Sequence, residues 1–268
     1  MSIGIGITTR NRPECLEACL RHFTEFGHGD KVVVIDDNSE LWQVNKIVAE
    51  SFNINVIYKY STSRLGVSKA KNACLWELRD YDHVFLFDDD TWPQCYNWAE
   101  TWININEVNG VGHSMFNVTA AELLDLNPAF RAVVQPIASI GDNETKMVSF
   151  SNCFGVMLYF NRKCIDALGG YPNDAPHLYG YEHAQISKRA NMAGFTRGHQ
   201  YLTPAIASNL IYSIDITYCM LKILPFFDTR WIGNFRSSVT LEESSQAGKN
   251  SAIMDIREIY SPLVPPLG

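Results

Sequence analysis

The first third of the chain alternates short hydrophobic runs with longer segments whose hydrophobic residues recur every three or four positions. Short runs rich in β-branched residues predict buried strands, and the wider spacing predicts amphipathic helices. Strands that alternate with helices are typical of an α/β domain with a largely parallel sheet. We therefore predict an α/β fold with a doubly wound, mostly parallel sheet in α/β/α layers. The predicted strands cover residues 3–8, 31–36, 54–60 and 83–88, and a helix is predicted over 67–78.

Two further helices in this region carry recognisable start signals. Pro13 suits the first turn of a helix, because its ring presets the backbone angle and its missing N–H would have no partner there. Ser39 is predicted to cap the next helix, since a serine hydroxyl accepts hydrogen bonds from the free N–H groups at a helix start. In that second helix we expect Val44, Ile47 and Val48 to face the core.

The second half of the chain begins a similar pattern with one strand and one short helix. Residues 154–160 form a continuous hydrophobic run, which predicts a buried strand. Residues 162–168 predict a helix, and Gly169 is suited to end it, because glycine adopts the left-handed conformation common after a helix.

Composition narrows the class of protein. The chain has 268 residues, of which 46% are hydrophobic and 12% aromatic, with a net charge of -7. This length and composition indicate one globular domain, or one domain with an elaborated end, and argue against disorder, collagen or a coiled coil. A nucleic-acid partner is compatible with the sequence, but this acidic charge does not indicate one.

The amino terminus and the cysteines indicate a cytoplasmic protein. The first residues lack the basic leader and long apolar run of a secretory signal, so we expect a cytoplasmic location. The apolar stretch 205–227 is interrupted by Asn209, Asp215 and Lys222, so it predicts core or interface and no membrane span. Seven scattered cysteines, an odd number, predict reduced and buried thiols.

Acidic residues follow two of the predicted strands. One strand runs into Asp36 and Asp37, and a later strand runs into Asp88, Asp89 and Asp90. In parallel sheets the carboxyl ends of the strands are where ligands gather. Adjacent carboxylates repel one another unless a cation neutralises them, and hard oxygen ligands suit Mg²⁺ or Mn²⁺. A divalent metal here could stabilise a diphosphate leaving group, whereas the alternative is a solvated acidic turn.

Four segments together resemble the large family-2 group of GT-A glycosyltransferases, which use nucleotide-diphosphate sugars. Residues 9–13 resemble the opening Thr-Tyr-Asn-Arg segment of that family, and residues 34–39 resemble its Val-Asp-Asp-Gly-Ser turn. Residues 64–73 resemble its Asn-x-Gly-x-x-x-Ala-Arg-Asn-x-Gly motif, and residues 85–90 its metal-binding Asp-x-Asp. The order of these segments carries the resemblance, which extends from the first strand to about residue 200.

The resemblance implies roles for particular residues on the donor side. Asp37, with Asp36, is expected to contact the uracil or ribose of the nucleotide. Lys71 stands where the family has arginine, and Arg64 where it has asparagine, so positive charge near the nucleotide is kept. The residues implied to bind the nucleotide sugar are Thr9, Arg12, Asp36, Asp37, Arg64, Lys71 and Asp89.

The resemblance also implies a metal site for Mn²⁺ or Mg²⁺. Asp88 and Asp90 occupy the two acidic positions of the metal-binding motif. Family members often carry a later histidine as a third ligand, and His199 is the candidate here. The expected position lies nearer to Ser208 or Asn209.

The acceptor side is implied by residues 179–189. This segment resembles the Gly-x-Glu-Asp segment that presents the catalytic carboxylate in inverting members, with His183 in place of the Asp. A carboxylate or a neutral imidazole can accept a proton from an acceptor hydroxyl, so the base is open between Glu182 and His183. Inversion is favoured, although retaining GT-A enzymes carry a similar Gly-Gly-Glu-Asn segment.

These features predict a catalytic domain over residues 1–204 and a carboxyl-terminal extension over 205–268 packed on it. Within the domain, residues 1–110 are the predicted nucleotide-sugar half and residues 111–204 the acceptor half. The predicted function is metal-dependent transfer of a sugar from a nucleotide-diphosphate donor, with UDP favoured, to an acceptor hydroxyl.

Two other functions and several acceptors are compatible with the sequence. A sugar-1-phosphate nucleotidyltransferase would also use a doubly wound sheet and acidic metal ligands, but residues 8–13 contain no glycine for its phosphate loop. A non-catalytic nucleotide- or sugar-binding module is suggested by the missing Asp at His183. The acceptor could be a saccharide, a lipid-linked sugar, a protein side chain or a hydroxylated nucleobase, since acceptor loops carry little pattern.

Overall fold

The core of the protein is a six-stranded sheet. A computed structural model describes residues 1–117, 136–151, 155–172 and 182–214. The strands of this sheet lie in the order β3-β2-β1-β4-β9-β6. The three pairings among β1 to β4 are parallel, whereas β9 pairs antiparallel with both β4 and β6. The strands are β1 (Ile3–Thr9), β2 (Lys31–Asp36), β3 (Val56–Tyr60), β4 (His83–Asp88), β6 (His113–Met115) and β9 (Met157–Asn161).

Helices cover both faces of this sheet. One hydrophobic cluster joins the strands to α1, α2 and α4, and a second cluster joins the opposite face to α3, α5 and α6. The fold is therefore an α/β fold with α/β/α layers around a mostly parallel sheet, as predicted. The helices are α1 (Pro13–Phe26), α2 (Trp42–Glu50), α3 (Val67–Glu77), α4 (Trp98–Val108), α5 (Arg162–Leu168), α6 (Glu182–Met192) and α7 (Ala207–Leu210).

Two small antiparallel sheets flank the core sheet. The first has the order β10-β8-β7, and the second pairs β11 with β5, which directly follows the acidic triplet of Asp88, Asp89 and Asp90. The second pairing attaches the chain after residue 204 to the rest of the protein. These strands are β5 (Thr91–Pro93), β7 (Pro136–Ile140), β8 (Met147–Phe150), β10 (Tyr201–Pro204) and β11 (Ile211–Ser213).

Most local predictions are confirmed. Helix α1 begins at Pro13, and α5 spans Arg162–Leu168 with Gly169 after it in the left-handed region at φ 67°. Strands β2 and β4 have the predicted bounds, and α3 ends one residue earlier than predicted, at Glu77. These elements form where local pattern and tertiary packing agree.

The prediction for α2 is partly confirmed: the helix is present and Val48 packs against the core, but the cap and two of the inward positions are wrong. The helix begins at Trp42, so Ser39 does not cap it, and Val44 and Ile47 are exposed by 44% and 68%. The fully buried positions are Asn45 and Ala49, while Val48 is only partly buried. The helix is rotated because Asn45 donates a buried hydrogen bond to Asp36, and this bond faces the sheet.

Five of the seven cysteines lie in the described residues, and all five are free thiols. Cys15, Cys19, Cys74 and Cys164 are buried free thiols, and Cys95 is partly exposed. Cys153 and Cys219 lie outside the described residues, as does most of the stretch 205–227. In the described ranges no helix has both the length and the apolar character needed to cross a membrane.

Candidate active site

The acidic triplet begins at the carboxyl end of β4, beside β1. The register pairs Thr8 with Asp88, and the Thr8 hydroxyl donates to Asp88 Oδ1 over 3.3 Å. The Asp88 side chain is 30% exposed, whereas those of Asp89 and Asp90 are 0% and 4% exposed. Asp88 is therefore the one member of the triplet with an open carboxylate.

Arg12 neutralises the two buried members of the triplet. It makes an ion pair with Asp89, and its Nη1 donates to Asp90 Oδ2 over 2.8 Å. The Thr9 hydroxyl donates to the other oxygen of Asp89 over 2.6 Å. Burial raises the pKa of Asp89 while the Arg12 charge opposes that rise. Burial disfavours the Arg12 charge, yet the carboxylates outweigh it and raise its pKa.

This arrangement bears on the predicted roles of Thr9, Arg12 and Asp89. All three are buried, with exposures of 3%, 7% and 0%, and their polar groups contact one another. They stabilise one another beside Asp88, and the direct donor contact expected for them from the sequence stays a prediction.

Lys71 lies in the interior on the other side of Asp88. It comes from α3, is 0% exposed, and its Nζ lies 3.2 Å from Asp88 Oδ1. The same ammonium donates to the carbonyl of Gly155 over 3.3 Å. Burial works against the charge, but Asp88 and Glu182 raise the pKa of Lys71 overall. The buried Lys71 thus pairs with protein groups, and its contact with a nucleotide stays a prediction.

Asp36 is also fully buried. Its Oδ1 accepts from the Ser39 backbone N over 2.8 Å, and its Oδ2 accepts from Asn45 and the Tyr58 hydroxyl over 2.7 and 2.6 Å. At 0% exposure it holds the turn after β2 and leaves no surface for a nucleotide. The sequence reasoning missed Asn45 and Tyr58, because no local pattern pairs side chains from two different elements.

Asp37 joins the end of β2 to the start of α3. Its carboxylate accepts from the backbone N of Leu65 and Gly66 over 2.5 and 3.1 Å. The Arg64 Nε lies 4.0 Å from the same carboxylate. Burial raises the pKa of Asp37, and the two backbone hydrogen bonds oppose this rise. Asp37 and Arg64 thus lie together at the sheet edge where the sequence placed the nucleotide.

Glu182 is the first residue of α6 and is 7% exposed. Its Oε1 lies 3.5 Å from Nδ1 of His183, and its Oε2 is buried without a hydrogen-bond partner among the described residues. Burial disfavours ionisation, but His183 and Lys71 outweigh it and lower the pKa of Glu182 to about 2. Glu182 is therefore a buried, ionised carboxylate whose Oε2 is not used by another described residue.

The predicted third metal ligand does not join the two aspartates. His199 lies in the loop between α6 and β10, where its backbone N donates to the Thr196 carbonyl over 2.9 Å. Within the described ranges, no three His, Cys, Asp or Glu side chains are grouped to hold a metal ion. The set of Asp88, Asp90 and His199 is therefore not assembled, since its histidine does not complete a three-ligand group.

The carboxylates nevertheless fit a cation whose remaining ligands come from a bound substrate. The contacts of Asp88 with Thr8 and Lys71 both use Oδ1, and its Oδ2 accepts none among the described residues. Mg²⁺ sites commonly use one or two carboxylates and complete the shell with substrate phosphates and water. Asp88, with Asp90 behind it, would hold the ion in such a site.

Comparisons with known proteins identify similar sequences and folds. Residues 5–122 match the family model for glycosyl transferase family 2. A curated relative, an uncharacterized glycosyltransferase of Acanthamoeba polyphaga mimivirus, is 26% identical over 198 residues, which is 70% of this chain and 73% of the relative. The family match contains β1 to β4 and the acidic triplet.

Two solved structures share the fold. The mannosyltransferase PcManGT from Pyrobaculum calidifontis, in complex with GDP-Man and Mn²⁺, has a TM-score of 0.52 and 20% identity, covering 73% of this chain and 53% of its own. GalNAc-T7 with UDP, GalNAc and Mn²⁺ has a TM-score of 0.55 and 13% identity, covering 76% and 42%. The chain thus spans about half the length of these proteins. It has the GT-A fold, and residues 5–122 match glycosyl transferase family 2.

Proposed function

We propose that this protein, which has the GT-A fold, is a glycosyltransferase that transfers a sugar from a UDP-linked donor to an acceptor hydroxyl, with inversion at the anomeric carbon. The observation that carries the proposal is the buried carboxylate of Glu182, which has one oxygen without a partner among the described residues. Lys71, whose ammonium lies 3.2 Å from the open carboxylate of Asp88, also interacts electrostatically with Glu182. One buried cation therefore acts on both the proton acceptor and the carboxylate of the diphosphate site.

The donor side uses the carboxyl ends of β2 and β4. Asp37 and Arg64 would bind the nucleoside, because they remain partly accessible at 10% and 22% side-chain exposure. Asp88 and Asp90 would hold Mn²⁺ or Mg²⁺, and the Mn²⁺ named with both solved structures supports a divalent ion. When bound, such an ion stabilises negative charge on a departing diphosphate.

The acceptor side would supply the proton acceptor. The acceptor oxygen forms a bond to the anomeric carbon as the bond from that carbon to the diphosphate oxygen breaks. The electron pair of the broken bond leaves with UDP, and the acceptor proton moves to Glu182 Oε2. His183 holds Oε1. Inversion follows, because a single displacement by a hydroxyl activated in this way enters opposite the leaving group.

The two predicted halves of the catalytic domain would contribute one group each. Asp88 comes from residues 1–110 and Glu182 from residues 111–204, which supports that division as part of the proposal. The extension over 205–268 is largely outside the described residues, so its boundary stays a prediction.

The proposal is tested with panels of nucleotide sugars and acceptors in the presence of Mn²⁺ or Mg²⁺. Released nucleotide diphosphate measures turnover, and the anomeric coupling constant in the NMR spectrum of the product gives the stereochemistry. We expect UDP release that depends on an acceptor, and a product with inverted configuration. A product with retained configuration would remove the base role of Glu182. Release of pyrophosphate would indicate a nucleotidyltransferase.

A further inference from the structure

Lys71 contacts both the donor side and the acceptor side of the proposed site from the interior of the protein. Its ammonium lies 3.2 Å from Asp88 Oδ1 and donates to the Gly155 carbonyl over 3.3 Å, and the side chain is 0% exposed. A buried ammonium is costly unless carboxylates and hydrogen-bond acceptors surround it. Asp88 and Glu182 supply that charge, since both act on Lys71 electrostatically. Lys71 therefore supplies positive charge to both carboxylates from the interior of the protein.

Gly155 is the point where the Lys71 contact meets His183. Its φ of +73° lies in the left-handed region, which favours glycine. A Cβ at this position would lie 2.4 Å from Cγ and 2.5 Å from Nδ1 of the His183 ring. The following residue, Val156, accepts from the Asp88 backbone N over 3.0 Å. The backbone at 155–156 thus touches the lysine, the donor-side aspartate and the imidazole beside Glu182.

We propose that Lys71 and Gly155 are positioning residues that couple the donor-side carboxylate Asp88 to the Glu182–His183 pair. The proposal rests on the proposed function, in which those two places receive the diphosphate and the acceptor proton. The lysine charge interacts with Asp88 and Glu182, and its hydrogen bond holds the carbonyl of Gly155, which lies against the His183 ring. Small displacements of reacting groups cost large factors in rate, so this spacing matters for transfer.

Kinetics of matched variants test the coupling. Lys71→Met removes the charge at similar length, Lys71→Arg keeps it, and Lys69→Met is the control on an exposed position of α3. We expect Lys71→Met to lower the transfer kcat about 10- to 100-fold, with most of the loss recovered in Lys71→Arg. Gly155→Ala should lower kcat with the donor KM nearly unchanged, because its methyl group would collide with the His183 ring. Lys69→Met should transfer at the wild-type rate.

A double-mutant cycle shows whether Lys71 acts through Glu182. If it does, Lys71→Met should cost clearly less in a Glu182→Gln background than in the wild type. Additive losses would overturn the coupling, because they would mean that each residue acts independently.

An NMR measurement tests the same coupling without turnover. In protein labelled with ¹⁵N-histidine, the His183 ring signal is identified by its loss in His183→Asn. We expect Lys71→Met and Gly155→Ala to shift that signal and Lys69→Met to leave it in place. If Lys71→Met does not fold, as judged by circular dichroism, Lys71→Arg and Gly155→Ala carry the test. A His183 signal unmoved in every folded variant of Lys71 and Gly155 overturns the proposal. If the wild type transfers no sugar, the proposed function fails while this signal still decides the coupling.

Discussion

The Nη1 atom of Arg12 donates to Asp90 Oδ2 over 2.8 Å, although the two residues are 78 positions apart in the chain. Arg12 precedes α1, and Asp90 follows β4, so the bond crosses the carboxyl edge of the sheet between β1 and β4. The same guanidinium pairs with Asp89. One arginine therefore stabilises two buried carboxylates directly behind the open carboxylate of Asp88.

Replacing Arg12 should destabilise the protein. Arg12→Met leaves Asp89 and Asp90 buried without their cation, and breaking a buried ion pair in this way costs about 3–5 kcal/mol. We expect the free energy of unfolding in urea to fall by that amount. Arg21→Met is the control, because its exposed pair with Glu17 should contribute less than about 1 kcal/mol. Equal stability of the two variants would contradict the supporting role of Arg12.

Removing the open carboxylate should abolish metal-dependent turnover. Asp88→Asn keeps the shape of the side chain but loses a charged ligand, so we expect at least about a 100-fold fall in transfer and weaker Mn²⁺ binding with UDP by calorimetry. Excess EDTA should stop the wild type. Asp80→Asn, on an exposed residue, serves as the control. Full turnover in EDTA would show that the triplet is only a structural turn.

A comparison of two variants decides which residue is the general base. Glu182→Gln should keep donor binding and lower transfer about 100- to 10,000-fold, while His183→Asn should cost far less. Because the pKa of Glu182 is held at about 2, its titration should not appear in the pH–rate profile between pH 4 and 8. If His183 is the base, the ranking reverses and an acidic limb appears near a pKa of about 6.5.

Asp37 and Asp36 should respond differently to truncation. Asp37→Ala should raise the donor KM about tenfold or more with a smaller change in kcat, since it removes binding that is the same in the ground and transition states. Asp36→Ala should instead lower stability, because Asn45 and Tyr58 lose a buried acceptor. Steady-state kinetics and urea unfolding of both variants check this. An unchanged KM in Asp37→Ala with a collapsed kcat would reverse its role.

His113 should make stability depend on pH. It is buried, its Nδ1 donates to the Tyr159 carbonyl, and its Nε2 accepts from the Ser187 hydroxyl. Burial lowers the pKa of His113 from 6.5 to about 4. Between these values the unfolded chain binds the proton and the folded chain does not, so stability falls as the pH drops from 6.5 to about 4.

The expected size of this fall is up to about 3 kcal/mol. Urea unfolding of the wild type and of His113→Asn at a series of pH values measures it. The variant should lose most of the pH dependence in this window, whatever its absolute stability. The same slope in both proteins would assign the dependence to other groups.

The sequence alone determined the elements whose pattern is local. Strands β2 and β4 and helix α5 have the predicted bounds, because their hydrophobic runs and end signals lie within a few residues of one another. The order of the motifs also indicated the fold and the place of the acidic triplet. The local pattern could not predict which face of α2 packs against the sheet, because the hydrogen bond from Asn45 to Asp36 depends on the end of a neighbouring strand.

Tertiary structure decided how the predicted site residues are buried and paired. The sequence grouped Thr9, Arg12, Lys71 and Asp89 with the nucleotide through the resemblance to family motifs. The fold buries them, since the carboxylates of Asp88, Asp89 and Asp90 need cations and donors beside them, and those partners come from β1, from the residue before α1 and from α3. Burial and pairing arise from contacts between distant segments, so only the folded chain shows which acidic groups are paired inside the protein.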